Sequence, residues 1–276
     1  MKKMLTALST FLFALCASAQ VKMPAPSPTQ TIKQDFGMGS IEIVYSRPGA
    51  KGRKIFGDLV PYNKLWRTGA NAATSIHFSD MVELGGHRID TGTYVLYTIP
   101  GVDSWEIILN AGVKNWGIEN YKESDDIVRF KVEPMRMKTK LETFTMQFAD
   151  IKPESCELQI MWEKTIVPVT ITTNIKEKLK AQIDAAMKTE KKPYWQAAQY
   201  YNEYEHNLNK ALENCNKAIE DNPKAYYIYL YKARIQKEMG DNTGAMESSK
   251  KSLELAKDAK NDDYVKMNEE LQRKLK

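Results

Sequence analysis

"TSIHFSDMVELGGHRIDTGTYVLYTIPG", residues 74–101, decides the fold class of the longer part of this chain. Gly85-Gly86 is a two-residue hairpin signal, because the tight turns that match strand twist need φ > 0 at their centre and glycine adopts it without steric cost. Asp90-Thr91-Gly92 marks a second turn. With Gly85-Gly86 as the turn, Leu84 faces His87, and extending that register sets His77 opposite Tyr94. Working outward, "SIEIVYS" (40–46) places Ile41, Ile43 and Tyr45 on one face of a period-two pattern. "SWEIILN", "IVRFKVEP", "ETFTMQFADI", "SCELQIMWEK" and "TIVPVTITT" follow, each bounded by turn residues. Such a succession of short strands predicts an antiparallel β-sandwich or barrel-like domain over residues 31–173.

Upstream, Lys2 and Lys3 precede an apolar run from Met4 to Ala17, and Ala17-Ser18-Ala19 offers a cleavage site. Residues 1–19 read as a signal peptide, so the mature chain is expected to be periplasmic or secreted. Cys16 follows Phe13-Ala14-Leu15, where a lipidated cysteine needs a small neighbour, so a lipoprotein is not expected. Pro24, Pro26 and Pro28 make residues 20–30 an extended lead-in. No later stretch reaches the roughly 18 apolar residues of a membrane helix. Cys156 and Cys215 cannot make a disulfide framework and read as two buried thiols.

The pattern changes at Asn174, which opens an expected helical domain over residues 174–276. "NIKEKLKAQIDAAMKTEKK" has an asparagine cap with Glu177 three residues on, and a stripe of Ile175, Leu179, Ile183 and Met187. Helices are broken at Pro193, Asn222-Pro223, Gly240 and Asn261. Superimposing this segment on itself with an offset of about 34 residues sets Trp195 on Tyr229, Ala211 on Ala245, Leu212 on Met246, Ala218 on Ser252 and Ile219 on Leu253, the tetratricopeptide spacing. The leucine-glycine pair of that repeat reads Ala198-Gln199 in one unit and Lys232-Ala233 in the next. Stacked helical pairs of this kind present surfaces for protein partners.

The chemistry-bearing motifs are few. His77 and His87 make a poor metal pair on the expected hairpin, and His206 has no second ligand at helical spacing, so no metal or cofactor is expected. No nucleophile elbow, zinc-protease helix or phosphate loop is present. Asp125-Asp126 and Asp262-Asp263 fall in turns, where capping accounts for them. The chain carries a net charge of +5, and residues 43–79 alone hold six cations against Asp58. Without Lys2 and Lys3 of the expected signal peptide the charge falls to +3, so the basicity belongs to one segment of a slightly acidic remainder, which argues against a nucleic-acid surface.

That segment, "YSRPGAKGRKIFGDLVPYNKLWRTGANAAT" (45–74), is the candidate binding element. Tyr45, Arg47, Lys51, Arg53, Lys54, Trp66, Arg67 and Asn71 combine aromatic faces with cationic and amide donors, a set that suits an anionic or polar small molecule or a glycan. The same arginines could instead bond to backbone carbonyls and hold the loop in place.

With "GTYVLYTIPG", "WEIILN" and the Trp116-Gly117 pair, this stretch resembles the exported bacterial family catalogued as domain of unknown function 2911, over about residues 24–172. The resemblance implies glutamate at position 72 and glycine at 63, where this chain has Ala72 and Asn63. It carries no activity and no catalytic residue to this chain. The expectation is a non-enzymatic two-domain binding protein, with the basic loop taking a ligand and the helical repeats a protein. Two alternatives are an envelope hydrolase built from Tyr45, Arg67, Asn71 and His77, and a structural β domain with the repeats as the working surface.

Overall fold

The computed structural model describes residues 23–276; the expected signal peptide and the first residues of the lead-in lie outside the described residues. The chain divides into two compact units, with the division between Ile171 and Thr172.

In the first unit, β1 (Thr29–Phe36), β2 (Gly39–Ser46), β3 (Thr74–Phe78), β6 (Gly92–Ile99), β7 (Trp105–Asn110) and β8 (Asp126–Val132) form a six-stranded sheet in the order β1-β2-β3-β6-β7-β8. The second sheet has the order β5-β4-β10-β9, from β4 (Val82–Leu84), β5 (His87–Ile89), β9 (Met135–Ala149) and β10 (Ser155–Thr172). Alternation explains the pairing of layers. Ile41, Ile43 and Tyr45 of β2 point inward and share one core with Phe144 and Met146 of β9 and Leu158, Ile160 and Trp162 of β10. Each aliphatic or aromatic side chain so buried contributes about 1.5–3 kcal/mol relative to exposure. The unit is an antiparallel sandwich, as the strand spacing predicts.

Three details depart from the sequence reading. β1 begins at Thr29, inside the expected lead-in, and its alternation is nearly all polar because it is a sheet edge with only Phe36 fully buried. Leu84 pairs with His87 as expected, but His77 pairs with Thr93 and Tyr94 with Ile76. The chain changes sheet on both sides of the Gly85-Gly86 hairpin, so β3 and β6 set their own register. Finally, "SCELQIMWEK" and "TIVPVTITT" are one strand, β10, with register shifts on both sides of Glu163. Cys156, Leu158, Ile160 and Trp162 are buried before the shift, and Val167, Val169 and Ile171 after it. The inward parity changes from even to odd, and Glu163 takes the left-handed φ of 52° that accompanies the bulge.

The second unit holds α1 (Lys176–Ala186), α2 (Tyr194–Glu203), α3 (Leu208–Asp221), α4 (Tyr226–Glu238), α5 (Asn242–Asp258) and α6 (Asp262–Lys274). Leu179, Ile183 and Met187 of α1 pack on Ala197 and Tyr200 of α2. α2/α3 and α4/α5 are the two tetratricopeptide-like pairs. Their caps repeat at the expected spacing: Asn207 Oδ1 accepts from Lys210 N–H at 3.1 Å, and Asp241 Oδ1 from Gly244 N–H at 2.8 Å. The preceding His206 and Gly240 both have positive φ. Ala211 and Ala245 are both fully buried, so the second helices superpose as predicted.

The first helices are displaced by one residue. Ala198 matches Ala233 and Tyr200 matches Ile235, all buried, which corrects the pairing of Trp195 with Tyr229. The turn from Tyr204 to the cap at Asn207 is one residue longer than that from Met239 to Asp241, and this insertion offsets α2 against α4. Trp195 packs edge-on against Tyr227 and Tyr231, with ring centroids 5.5 and 5.0 Å away. A buried polar ladder joins α4, α5 and α6: Asn268 Nδ2 donates to Ser252 Oγ at 2.8 Å, Ser252 Oγ donates to Tyr226 O at 2.8 Å, and Ser249 Oγ donates to Asn268 Oδ1 at 3.0 Å.

Candidate functional site

The basic segment is the long connection between β2 and β3, and it folds back onto the sandwich. Phe144 N–H donates to Pro48 O at 2.9 Å, tying the segment to β9, while Trp66 and Thr98 exchange backbone hydrogen bonds of 2.8 and 3.0 Å, tying it to β6. Ile55, Val60 and Trp66 enter the core of the sandwich. The stretch from Trp66 to Asn71 is held in an unusual backbone. Thr68 has φ 53° and Asn71 φ 58°, a conformation that a β-branched threonine avoids unless its surroundings fix it. Here Thr68 Oγ1 lies 3.1 Å from Thr98 Oγ1, Thr68 O accepts from Thr74 Oγ1 at 2.6 Å, and Trp66 Nε1 donates to Gly69 O at 3.0 Å. Gly69 has φ 155°, and a Cβ there would stand 3.0 Å from Ser46 O.

Most of the candidate residues turn into the fold. Tyr45 is 2% exposed; its hydroxyl donates to Gln30 Oε1 at 2.7 Å and accepts from Met146 N–H at 2.9 Å, and burial pushes its pKa up. Arg47 donates to Phe144 O at 3.0 Å and Thr145 Oγ1 at 2.8 Å. Arg53 donates to Ala50 O at 3.0 Å and Gly49 O at 2.7 Å. Trp66 is a core residue stacked near Trp162, with ring centroids 6.1 Å apart. Lys51 is exposed, with its backbone N–H donating to Glu142 Oε1 at 2.6 Å. Lys54 reaches a different cleft. The carbonyl-bonding alternative thus describes Arg47 and Arg53, while His77 bonds Thr93 Oγ1 at 2.9 Å away from Arg67 and does not converge with it.

Arg67 and Asn71 are brought together. They line a hollow of about 320 Å³ with Trp116, Gly117, Ile118 and Glu119. Asn71 Nδ2 is fixed by Ser27 O at 3.1 Å and Ser46 Oγ at 3.3 Å. Arg67 differs from the other arginines of the segment: its Nε is shut off from solvent and has no hydrogen-bond partner among the described residues. Leaving a buried donor unpaired costs about 1–3 kcal/mol. Trp116, 62% exposed, and Ile118, 48% exposed, form an uncovered apolar rim. A Cβ on Gly117 would lie 3.9 Å from Arg67 Nη1, so the Trp116-Gly117 turn runs alongside the guanidinium. Such a site can hold a planar anion against the arginine fork with its body on the indole. Trp116 was legible only through the family motif, since a loop tryptophan has no periodicity to read. Asn63, where the resemblance implies glycine, has φ 58°, which asparagine tolerates better than most residues. Ala72 is exposed and adds no carboxylate.

In the helical unit, α1 and α2 border a groove of about 490 Å³ that includes Leu179, Ile183, Ala186 and Tyr200, with Gln182 and Gln196 exposed beside it. Among the described residues no three His, Cys, Asp or Glu side chains cluster to hold a metal, and no helix is long and apolar enough to cross a membrane.

Comparison with known proteins adds two family matches. Residues 155–268 are similar to the family described as N-terminal acetyltransferase A, auxiliary subunit, although the first part of that match is strand β10 here. No curated protein matches the chain. Residues 27–171, more than half of the sequence and the whole sandwich from just before β1, match the family described as protein of unknown function (DUF2911), and the chain belongs to that family.

Proposed function

We propose that this is an exported binding protein whose sandwich takes a small sugar acid in the Arg67 hollow and whose helical repeats dock a protein partner. The observation that carries the ligand half is the unpaired Arg67 Nε beside exposed Trp116. A carboxylate would supply the missing acceptor, a sugar ring would lie on the indole, and Glu119 could accept from ring hydroxyls. For the partner half, the tetratricopeptide-like pairs and the groove between α1 and α2 are of the kind used to seat peptides.

Calorimetric titration with glucuronate, glucose and acetate tests the ligand. Glucuronate is expected to bind best, and Arg67→Ala and Trp116→Ala to abolish its heat while leaving the melting temperature unchanged. Equal or absent heats for all three compounds would remove the sugar-acid reading. For the partner, Gln196→Arg is expected to abolish co-purification of an envelope protein with the full chain; unchanged recovery would argue against this groove.

A further inference from the structure

We infer a second anion site on the same sandwich, where the pairing of β9 with β10 shifts register around Glu163, for a small organic acid with an apolar or ring-shaped body. It is separate from the Arg67 hollow and shares no lining residue with it. The cleft has a volume of about 570 Å³, within the range that holds a drug-sized molecule.

Charge is its first distinguishing feature. Lys54, Arg136 and Lys164 line it, all exposed, and none has an ion pair among the described residues. The single carboxylate in the lining, Glu163, is already paired with Lys140 at 2.9 Å. Three unneutralised cations around one opening make a local field that attracts anions.

The second feature is a rigid aromatic wall. Phe56 stacks edge-on against Trp105 at 5.0 Å, and Trp105 is buried in the core. Tyr62 lies on Gly57, where a Cβ would come 2.7 Å from its ring. At the rim, Val102 and Met135 are 68% and 53% exposed. Cations beside apolar surface select an amphiphilic acid over inorganic phosphate.

The third is the backbone. Glu163, Lys164 and Thr165 are consecutive, yet all three line the cleft. A regular strand alternates its faces and cannot do this; the left-handed Glu163 and the paired register shifts permit it. The bulge therefore supplies both the charged pair and the free Lys164 to one opening.

The test uses the full chain with anilinonaphthalene sulfonate, a fluorescent ring anion, and uncharged phenylnaphthylamine as its control. Saturable binding of the sulfonate is expected, about tenfold weaker for each of Arg136→Ala and Lys164→Ala, weakened by salt, and unchanged by Arg67→Ala. Arg136 and Lys164 are exposed, so melting temperature and circular dichroism of their variants should not move. Equal affinity for the neutral dye, or sulfonate binding unaffected by the two substitutions, would overturn the site. Pelleting with phosphatidylglycerol vesicles that is lost in the same variants would also overturn it, by assigning these cations to a membrane surface.

Discussion

The hydroxyls of Thr68 and Thr98 lie 3.1 Å apart with both residues fully buried, one in the loop that carries Arg67 and the other in the strand beneath it. Thr68 holds a left-handed φ that threonine disfavours, so this contact helps retain the loop. Thr98→Val keeps the volume and removes the partner. It is expected to destabilise the sandwich by about 1–2 kcal/mol in urea unfolding, and to weaken any binding at Arg67.

Arg47 and Arg67 stand close in sequence and should respond oppositely. Arg47→Ala deletes two hydrogen bonds to β9 and should cost about 1–3 kcal/mol. Arg67→Ala removes a buried Nε with no partner, so relief of that cost offsets the lost packing and the variant should be clearly more stable than Arg47→Ala. Chemical denaturation of the two variants side by side separates a loop tether from a ligand contact.

In the helical unit Asn268 is fully buried and joins α6 to Ser249 and Ser252 of α5. Asn268→Ala leaves several polar atoms without partners, with an expected loss of about 2–3 kcal/mol. Asn268→Asp should be at least as harmful at neutral pH, since a buried carboxylate cannot donate to Ser252. Thermal melts of both variants check this.

Burial pushes the Cys156 thiol up to about 11 and the Cys215 thiol up to about 12. An unfolded cysteine titrates near 8.5, so the folded chain holds these protons more tightly. The associated stability is therefore complete below about pH 8.5 and is lost as pH rises through the folded values. A thiol reagent at pH 8 should label neither cysteine in the native chain and both in guanidinium. Rapid labelling without denaturant would contradict the buried placement.

What could be read in advance follows physical lines. Inward alternation exposed Ile41, Ile43 and Tyr45 because β2 is buried on one face, whereas β1 escaped notice because an edge strand buries little. The repeat was visible in α3 and α5, whose small residues are constrained by close packing, and misplaced in α2, where one extra turn residue shifts the register. Arg67 and Asn71 were found because they share a short motif. Arg136 and Lys164 were not, since they reach the cleft from strands remote in sequence. Arg47 and Arg67 carry the same chemistry in the same segment, and only the positions of the surrounding carbonyls tell their roles apart.

Between the pairs Met161–Thr145 and Thr165–Arg136, β10 advances from 161 to 165 while β9 advances from 136 to 145, so the surplus residues that the register shifts absorb lie in β9. Removing Lys164 would return Trp162 and Val167 to a common phase and at the same time widen the mismatch with β9 by one residue. Such a deletion should therefore lower the melting temperature of the sandwich. The two long strands of the sandwich are thus fitted to one another by slack in β9, with β10 holding the core on both sides of Glu163.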